Sequence, residues 1–387
     1  MRIFYVTNAR LPTEKAHGLA TVKLASAFAA LGHEVTIFHP FRRNPLRGDI
    51  YAHYGVARNF RIITIPAIDF LWLGFGERLF FPIQLFSFSV SAALWLFFRY
   101  GFGGRLRDTV IFSHDHVPLF FLSPLSKKIF YDIHDYPRPA LLYRRVLSRA
   151  IGLSVQTRWK VEALGREFGI PAEKIVYWPN GTDAGRFDIP LSASEARAKL
   201  GLPQDRKIVL YAGSLQRWKG VDTLVRATGL LPREILVCIV GGDTREIRAF
   251  ETRNSKPETR NLVFVGQKPW AEIPVWLKAA DVLVLPNTGR EDISRFHTSP
   301  MKLFEYMASS RPIVASDIPS IREIVDETMV FFAKPDDPRS FADAVQRAFS
   351  NPAEAARRAE RSRQEVRKYT WGARAKKILG NLRDRER

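Results

Sequence analysis

Short apolar runs rich in Val and Ile alternate along this chain with longer stretches whose apolar residues recur at helical spacing. In the first half the pattern predicts strands over Arg2–Thr7, Glu34–His39, Arg61–Ala67, Thr109–Ser113, Lys128–Ile133, Gly152–Gln156 and Ile175–Trp178, with helices over Ala20–Leu31, Ala140–Ala150 and Arg158–Phe168. In the second half it predicts strands over Lys207–Ala212, Ile235–Val240, Leu262–Val265, Val282–Leu285 and Ile313–Ala315, and helices over Val221–Leu230, Arg245–Arg253, Ala271–Ala279, Ile318–Val325 and Ser340–Phe349. Short apolar strands in turn with helices mean βαβ units and parallel sheets. Two such series predict an α/β chain of two doubly wound, Rossmann-like domains facing a cleft. Pro190 and the polar run Ser192–Glu195 place the linker near Phe187–Ser194, so domains are expected over 1–188 and 189–368. The tail from Asn351 to Arg387 reads as helical and basic.

One segment departs from the alternation. Leu79–Phe98 is uncharged throughout and long enough to span a bilayer. A single crossing would leave two strands of one sheet on opposite sides of the membrane, which excludes a span. Two readings stay open: a buried crossover helix with Gln84, Ser87 and Ser91 as its polar stripe, or a helix partly sunk in the lipid interface. Phe70, Leu71, Trp72 and Phe75 precede it, and Arg42, Arg43, Arg47 and Arg99 are near enough in sequence to meet anionic lipid.

Composition narrows the class. The chain has 387 residues, 46% hydrophobic and 12% aromatic, enough for more than one sizeable core. Its formal net charge is +20, with an excess of +10 in residues 1–190 and the same in the rest, so no single basic tail explains it. Phosphorylated substrates and an anionic membrane surface fit that balance. No nucleic-acid-binding signature is visible, and no nucleic acid partner is expected. The lone Cys238 lies in the apolar run Ile235–Val240, so it is expected to be buried and inert. A first strand at Arg2 leaves no room for a signal peptide, and a cytoplasmic location is expected.

Candidate chemistry concentrates in the second half. In Thr298-Ser299-Pro300-Met301-Lys302-Leu303-Phe304-Glu305, Ser299 is placed to cap a helix with Pro300 in its first turn. A helix start beyond a strand end suits an anion such as a diphosphate. Lys302 lies in that first turn, and the carboxylate of Glu305 can accept bonds from a sugar diol. Upstream, Tyr211-Ala212-Gly213-Ser214-Leu215-Gln216-Arg217-Trp218-Lys219-Gly220 ends a strand with a glycine and sets two cations before a helix, a second place for a diphosphate.

In these motifs and their order the chain resembles the retaining, family-4-type glycosyltransferases of GT-B architecture, over nearly its whole length. The segments that carry the likeness are Ala16-His17-Gly18-Leu19, Leu31–Val35, Trp178–Asp183, Gly213–Gly220, Ser299–Met307 with Arg311–Ser316, and Tyr369-Thr370-Trp371. The resemblance implies that residues 369–387 form a helix crossing back onto the first domain. It implies Glu305 on the ribose of a nucleotide sugar and Lys219 and Arg217 on the diphosphate, assisted by Gly213, Ser214, Ser299, Leu303 and the amides of Met301 and Lys302. His134, in Tyr131–Asp135, would touch the transferred sugar, and His17 and Gly18 would form the loop near the diphosphate and acceptor. Two positions depart from the family pattern. His297 stands where a carboxylate is usual, and Ser214 stands where the family often has Arg, a role expected to pass to Arg217.

The histidines His114, His116 and His134 raise the question of a metal, but no further His or Cys cluster completes a ligand set, and no Asp-x-Asp occurs. The expectation is a metal-independent transferase without a cofactor, with a nucleotide-diphosphate sugar as co-substrate. The acceptor would be a glycan or lipid-linked hydroxyl in envelope polysaccharide or glycolipid synthesis, at the cytoplasmic face of a membrane. Alternatives are a nucleotide-sugar 2-epimerase of the same architecture and a non-catalytic nucleotide-sugar-binding protein.

Overall fold

The structure is a computed structural model and describes residues 1–101, 106–138, 140–253 and 261–386. Arg387, the end of the expected last helix, lies outside the described residues. The chain divides into two compact units. One comprises Met1–Asn180 together with the stretch from Trp371, and the other comprises Gly181–Thr370.

The first unit is built on a sheet of β1 (Arg2–Val6), β2 (Glu34–Pro40), β3 (Arg61–Ile65), β4 (Thr109–Ser113), β5 (Ile129–Ile133), β6 (Gly152–Val155) and β7 (Ile175–Tyr177). Their order is β3-β2-β1-β4-β5-β6-β7, and every pair is parallel. The direction of winding reverses between β1 and β4. The crevice beyond those two strand ends is where open α/β sheets bind ligands. The second unit holds β8 (Lys207–Ala212), β9 (Ile235–Val240), β10 (Leu262–Gly266), β11 (Val282–Leu285), β12 (Ile313–Ser316) and β13 (Phe331–Ala333), in the order β10-β9-β8-β11-β12-β13, again all parallel. Its switch lies between β8 and β11.

Strand alternation builds the two faces of the second sheet. Ile208, Leu210 and Ala212 of β8 join one core with Leu283 and Leu303, while Val209 and Tyr211 join the other with Leu224 and Val284. Cys238 is fully buried in the first of these cores, and burial pushes its thiol up to about 11, so it is inert.

The units exchange chain at residues 180/181 and 370/371, where the sequence placed the boundaries at 188 and 368. Phe187 is 1% exposed inside a core of the second unit, which draws the short helix Ala184–Phe187 into that unit. Thr182 donates its amide to Tyr369 O at 2.9 Å, so the two crossings run side by side within it. The expected linker, Phe187–Ser194, runs into a helix, Ala193–Leu200, started by a capping box in which Ser192 and Glu195 satisfy each other's amides. The tail forms two helices, Pro352–Val366 and Trp371–Glu386, and the latter packs on the helix Ala16–Ala30 of the first unit.

The long apolar segment is the helix Glu77–Leu96, which joins β3 to β4 of one sheet. It is long and apolar enough to cross a membrane by length and composition. One side is core: Gln84, Phe88, Ala92 and Leu96 are buried, and Gln84 exchanges two hydrogen bonds with Asn8, at 3.1 and 2.9 Å. The other side is open, with Leu79, Phe86, Leu94 and, just past the helix, Phe98 exposed. Phe70, Trp72 and Phe75 are exposed as well, and the Arg43 guanidinium sits 4.4 Å over the Trp72 ring.

Candidate functional site

In the second unit the ends of β8 and the helix Met301–Ala308 are tied together by two side chains of that helix. Tyr306 Oη accepts from the Ala212 amide at 2.8 Å, and Lys302 Nζ donates to Tyr211 Oη at 2.6 Å. Tyr211 in turn donates to Ser214 O at 2.8 Å, which sets the loop after the strand. Gly213 lies directly under the Lys302 ammonium. A Cβ on Gly213 would overlap Lys302 Nζ, so only glycine leaves room for the lysine to pass. The following residues make a tight turn, Arg217–Lys219, in which the Lys219 ammonium stacks 3.3 Å over the Trp218 ring.

The helix begins one residue later than the sequence implied. Pro300 adopts extended backbone (ψ 113) and occupies the cap position, so Ser299 is not the cap and no side chain caps the first turn. Leu303 still closes onto Pro300 O at 3.0 Å, whereas the amides of Met301 and Lys302 are first-turn groups with no intrahelical acceptor. Glu305 is one turn deeper. Its Oε1 accepts a 3.4 Å bond from Trp270 Nε1, and the Arg186 guanidinium lies 3.5 Å over that same indole. His297 is half-buried in the turn Ile293–His297 that precedes the helix.

The electrostatics of this cluster are set first by burial. Burial pulls the Lys302 ammonium down to about 7, with Glu305 only partly restoring it. Burial and then the charge of Lys302 hold Lys219 well below the usual lysine range. Burial raises the Glu305 carboxyl, against the opposing pull of Trp270, Lys302 and Arg186. Among the described residues neither lysine has a carboxylate within ion-pair distance. The two lysine side chains thus lie close enough for the charge of one to disfavour that of the other. Arg217, which the sequence nominated beside Lys219, is exposed and makes no ion pair among the described residues. Asn287, just past β11, is fully buried with neither amide atom hydrogen-bonded among the described residues.

In the first unit the ends of β1, β4 and β5 form a second polar cluster. His114 follows β4; its Nε2 is 3.2 Å from Thr7 Oγ1, its Nδ1 is 3.4 Å from Tyr5 Oη, and its ring lies 5.4 Å from that of His134. His134 follows β5, and its Nε2 is 3.0 Å from Asp132 Oδ2. Asp132 is 1% exposed. Its Oδ1 accepts from Ser154 Oγ at 2.5 Å, Gln156 Nε2 at 3.2 Å and Arg374 Nη2 at 2.6 Å. Burial alone would raise this carboxyl, but Arg374, His134 and Ser154 hold it far below the usual range. Beneath it, Lys160 Nζ donates to the carbonyls of Ile133 (2.9 Å) and His134 (2.5 Å) and to Gln156 Oε1 (3.0 Å), fixing the turn that presents His134. His17 and Gly18 are not in a loop: the helix starts at Ala16, and Gly18 is buried against Thr13 and Tyr54. His17 is exposed, 6.4 Å ring to ring from His114. His116 turns away to stack on Tyr143 at 4.0 Å. Among the described residues no group of three His, Cys, Asp or Glu side chains could hold a metal ion.

Sequence reading found the two strand-end motifs but missed their supports. Tyr211, Tyr306 and Trp270 in one unit, and Asp132, Lys160 and Arg374 in the other, look like ordinary core or surface residues until folding joins them. Asp132 alone carried a signal, as an acid in an otherwise apolar strand.

The comparisons with known proteins agree with this division. The model of the family described as Glycosyltransferase Family 4 matches residues 19–186, and that described as Glycosyl transferases group 1 matches residues 206–351. The chain is 28% identical over 260 residues to a D-inositol 3-phosphate glycosyltransferase of Xylanimonas cellulosilytica, covering 63% of this chain and 60% of that one. It is 28% identical over 248 residues to a phosphatidyl-myo-inositol mannosyltransferase of Mycobacterium tuberculosis, covering 62% and 60%. The match thus spans about three-fifths of the length of these curated relatives. Among solved structures it is similar to sucrose-phosphate synthase from Thermosynechococcus elongatus, with a TM-score of 0.77, 21% identity and 99% and 98% coverage. It is also similar to HepE from Anabaena in complex with UDP-glucose, with a TM-score of 0.73, 15% identity and 99% and 100% coverage. The fold is GT-B.

Proposed function

This chain belongs to the group 1, family-4-type glycosyltransferases, and from that premise we propose that it moves a sugar from a nucleotide-diphosphate sugar to a hydroxyl acceptor with retention of anomeric configuration. The observation that carries the reading is that Lys219 and Lys302, at the start of the helix Met301–Ala308 and one turn from Glu305, lie close enough for their charges to repel and have no carboxylate within ion-pair distance among the described residues. A bound diphosphate would supply both lysines with the negative charge they lack, and the Met301 and Lys302 amides would add the helix-end dipole. The Glu305 carboxylate would then take the ribose diol. The UDP-glucose bound by the HepE neighbour supports a nucleotide-sugar donor. The inositol-based names of the relatives support a polyol or lipid-linked acceptor.

The chemistry follows from charge. As the bond from the anomeric carbon to the diphosphate oxygen breaks, the diphosphate leaves with the electron pair, and Lys219 and Lys302 stabilise it from fixed positions. The acceptor oxygen attacks the same face, and its proton passes to the departing phosphate oxygen. No carboxylate nucleophile is invoked, and the lysines take the part that a metal ion plays elsewhere. The first unit would present the acceptor and contribute His134. The exposed apolar side of the helix Glu77–Leu96, with Arg43 and the aromatic residues before it, would rest on an anionic membrane at its cytoplasmic face.

A thermal-shift screen against UDP-, GDP- and ADP-sugars tests the donor reading. Ligand at ~100 times Kd stabilises by about 2.7 kcal/mol. One nucleotide series should raise the melting temperature, and the gain should vanish in Lys219→Ala. No shift with any of the three would remove the reading.

A further inference from the structure

Resting on the reading of His134 as a contact for the transferred sugar, we infer that Asp132 and Arg374 are positioning residues that hold His134 as its Nε2–H tautomer and leave Nδ1 as a hydrogen-bond acceptor for a sugar hydroxyl.

Asp132 is buried and has both oxygens committed: Oδ1 accepts three donors, from Ser154, Gln156 and Arg374, and Oδ2 faces His134 Nε2 at 3.0 Å. A carboxylate whose other oxygen carries three donors, one of them a guanidinium at 2.6 Å, stays ionised. An ionised carboxylate has only lone pairs to offer, so the ring nitrogen beside it must carry the proton. His134 Nδ1 has no hydrogen-bond partner among the described residues. In a neutral imidazole that nitrogen holds a lone pair and cannot donate.

What surrounds the ring disfavours its charged form. Burial lowers its proton affinity, as do His114 on the turn after β4 and Arg374 on the last helix; Asp132, on the strand that His134 follows, opposes them and loses. The backbone is fixed too, because Lys160 clamps the carbonyls of Ile133 and His134. Arg374 ties this arrangement to the chain end. Its Nη1 donates to Asn180 Oδ1 at 3.1 Å and to Pro179 O at 3.3 Å, so one guanidinium joins the last helix, the strand-end carboxylate and the segment closing the first unit. A purely structural ion pair would need no histidine on its free oxygen. Here that oxygen is spent on orienting a ring that is 27% exposed. The arrangement selects hydroxyl-bearing donors: a hydroxyl at this point can give its hydrogen to Nδ1, whereas a deoxy sugar cannot.

The test reads the tautomer directly on the full-length protein. Long-range ¹H–¹⁵N spectra at pH 7.5 on ¹⁵N-histidine-labelled wild type, with the His134 signals assigned from their loss in His134→Gln, should show a protonated Nε2 and an unprotonated Nδ1. An Nδ1–H tautomer or an imidazolium would overturn the inference. This measurement needs no substrate, so it stands or falls apart from the transferase reading. The second arm is kinetic. Asp132→Asn can present either amide atom to the ring, so the His134 spectrum should show mixed tautomers. Hydrolysis of whichever of UDP-, GDP- or ADP-glucose turns over should fall about ten- to a hundredfold, the equivalent of one charge-assisted hydrogen bond, and the fall should lie in kcat/KM while the affinity for the free nucleoside diphosphate is unchanged. Equal loss of diphosphate affinity, or wild-type tautomer and turnover in Asp132→Asn, would refute the positioning role.

Discussion

Lys302 Nζ donates to the phenol of Tyr211 at 2.6 Å, across 91 residues of sequence, and this bond is what places the ammonium over Gly213. The lysine is spent on position rather than on charge pairing. A buried ammonium without a carboxylate partner costs stability and should return it when an anion binds.

Replacing Lys302 by Met keeps the bulk and removes the buried charge. Lys302→Met is expected to melt at or above the wild-type temperature while binding nucleoside diphosphate at least about tenfold more weakly, since a lost charge-assisted bond is worth ~1.5–3 kcal/mol. Differential scanning fluorimetry and isothermal titration calorimetry read the two effects on one sample. A variant that is both less stable and unimpaired in binding would contradict the assignment.

The same lysine sets a pH dependence. Its folded value, about 7, is below its ordinary value of 10.5, so between those limits the unfolded chain binds more protons than the folded one. Stability from this group therefore rises with pH across that window, and is at its lowest below it. Diphosphate binding needs the protonated ammonium, so affinity should fall as pH rises from 7 to 9, with proton uptake on binding near neutrality. Calorimetry in buffers of different ionisation enthalpy measures that uptake, and Lys302→Met should abolish most of it.

Glu305 accepts from Trp270 and is assigned to the ribose. Glu305→Gln should weaken binding of a ribonucleoside diphosphate by about tenfold and leave its 2′,3′-dideoxy analogue unaffected. An equal loss for both analogues would move Glu305 from the diol to a structural role.

Arg374 and Asp132 are each 1% exposed. Arg374→Met leaves a buried carboxylate without its main partner and should cost about 3–5 kcal/mol in urea unfolding. Adding Asp132→Asn should recover much of that, because the amide needs no counter-charge.

Membrane docking is tested at the exposed side of the helix Glu77–Leu96. Wild type should float with phosphatidylglycerol vesicles at low salt and detach as salt rises. The pair Leu94→Asp and Phe98→Asp should not float, while binding nucleotide normally. Equal recovery with neutral and anionic vesicles, or none with either, would argue against an anionic surface as the partner.

The alternation of apolar strands with helices was legible because every strand except the edge strands β3 and β10 is largely buried on both faces. What escaped was short or non-local. Strand β13, Phe331–Ala333, is too brief to show a period, and the helix His116–Leu122 is largely apolar and carries Pro118. The helix at Ala16 begins without a capping side chain, so nothing marked its start before Ala20. Ser299 was legible as a cap, yet the extended backbone of Pro300 took the position. Gly213, Lys219 and Glu305 carry local signals of turn, charge and spacing. The contact between Lys302 and Tyr211, and that between Arg374 and Asp132, 242 residues apart, carry none.

The central claim is sugar transfer from a nucleotide donor held by Lys219, Lys302 and Glu305. It is tested most directly by following UDP-, GDP- and ADP-sugars by ¹H NMR in the presence of the full-length protein, reading nucleoside diphosphate release and the anomeric configuration of the first-formed product. The account predicts turnover of one nucleotide series with retained configuration, and a loss of at least about a hundredfold in Lys219→Ala and in Glu305→Ala, with both variants folded. Inverted product, or near-wild-type turnover in both variants, would contradict it.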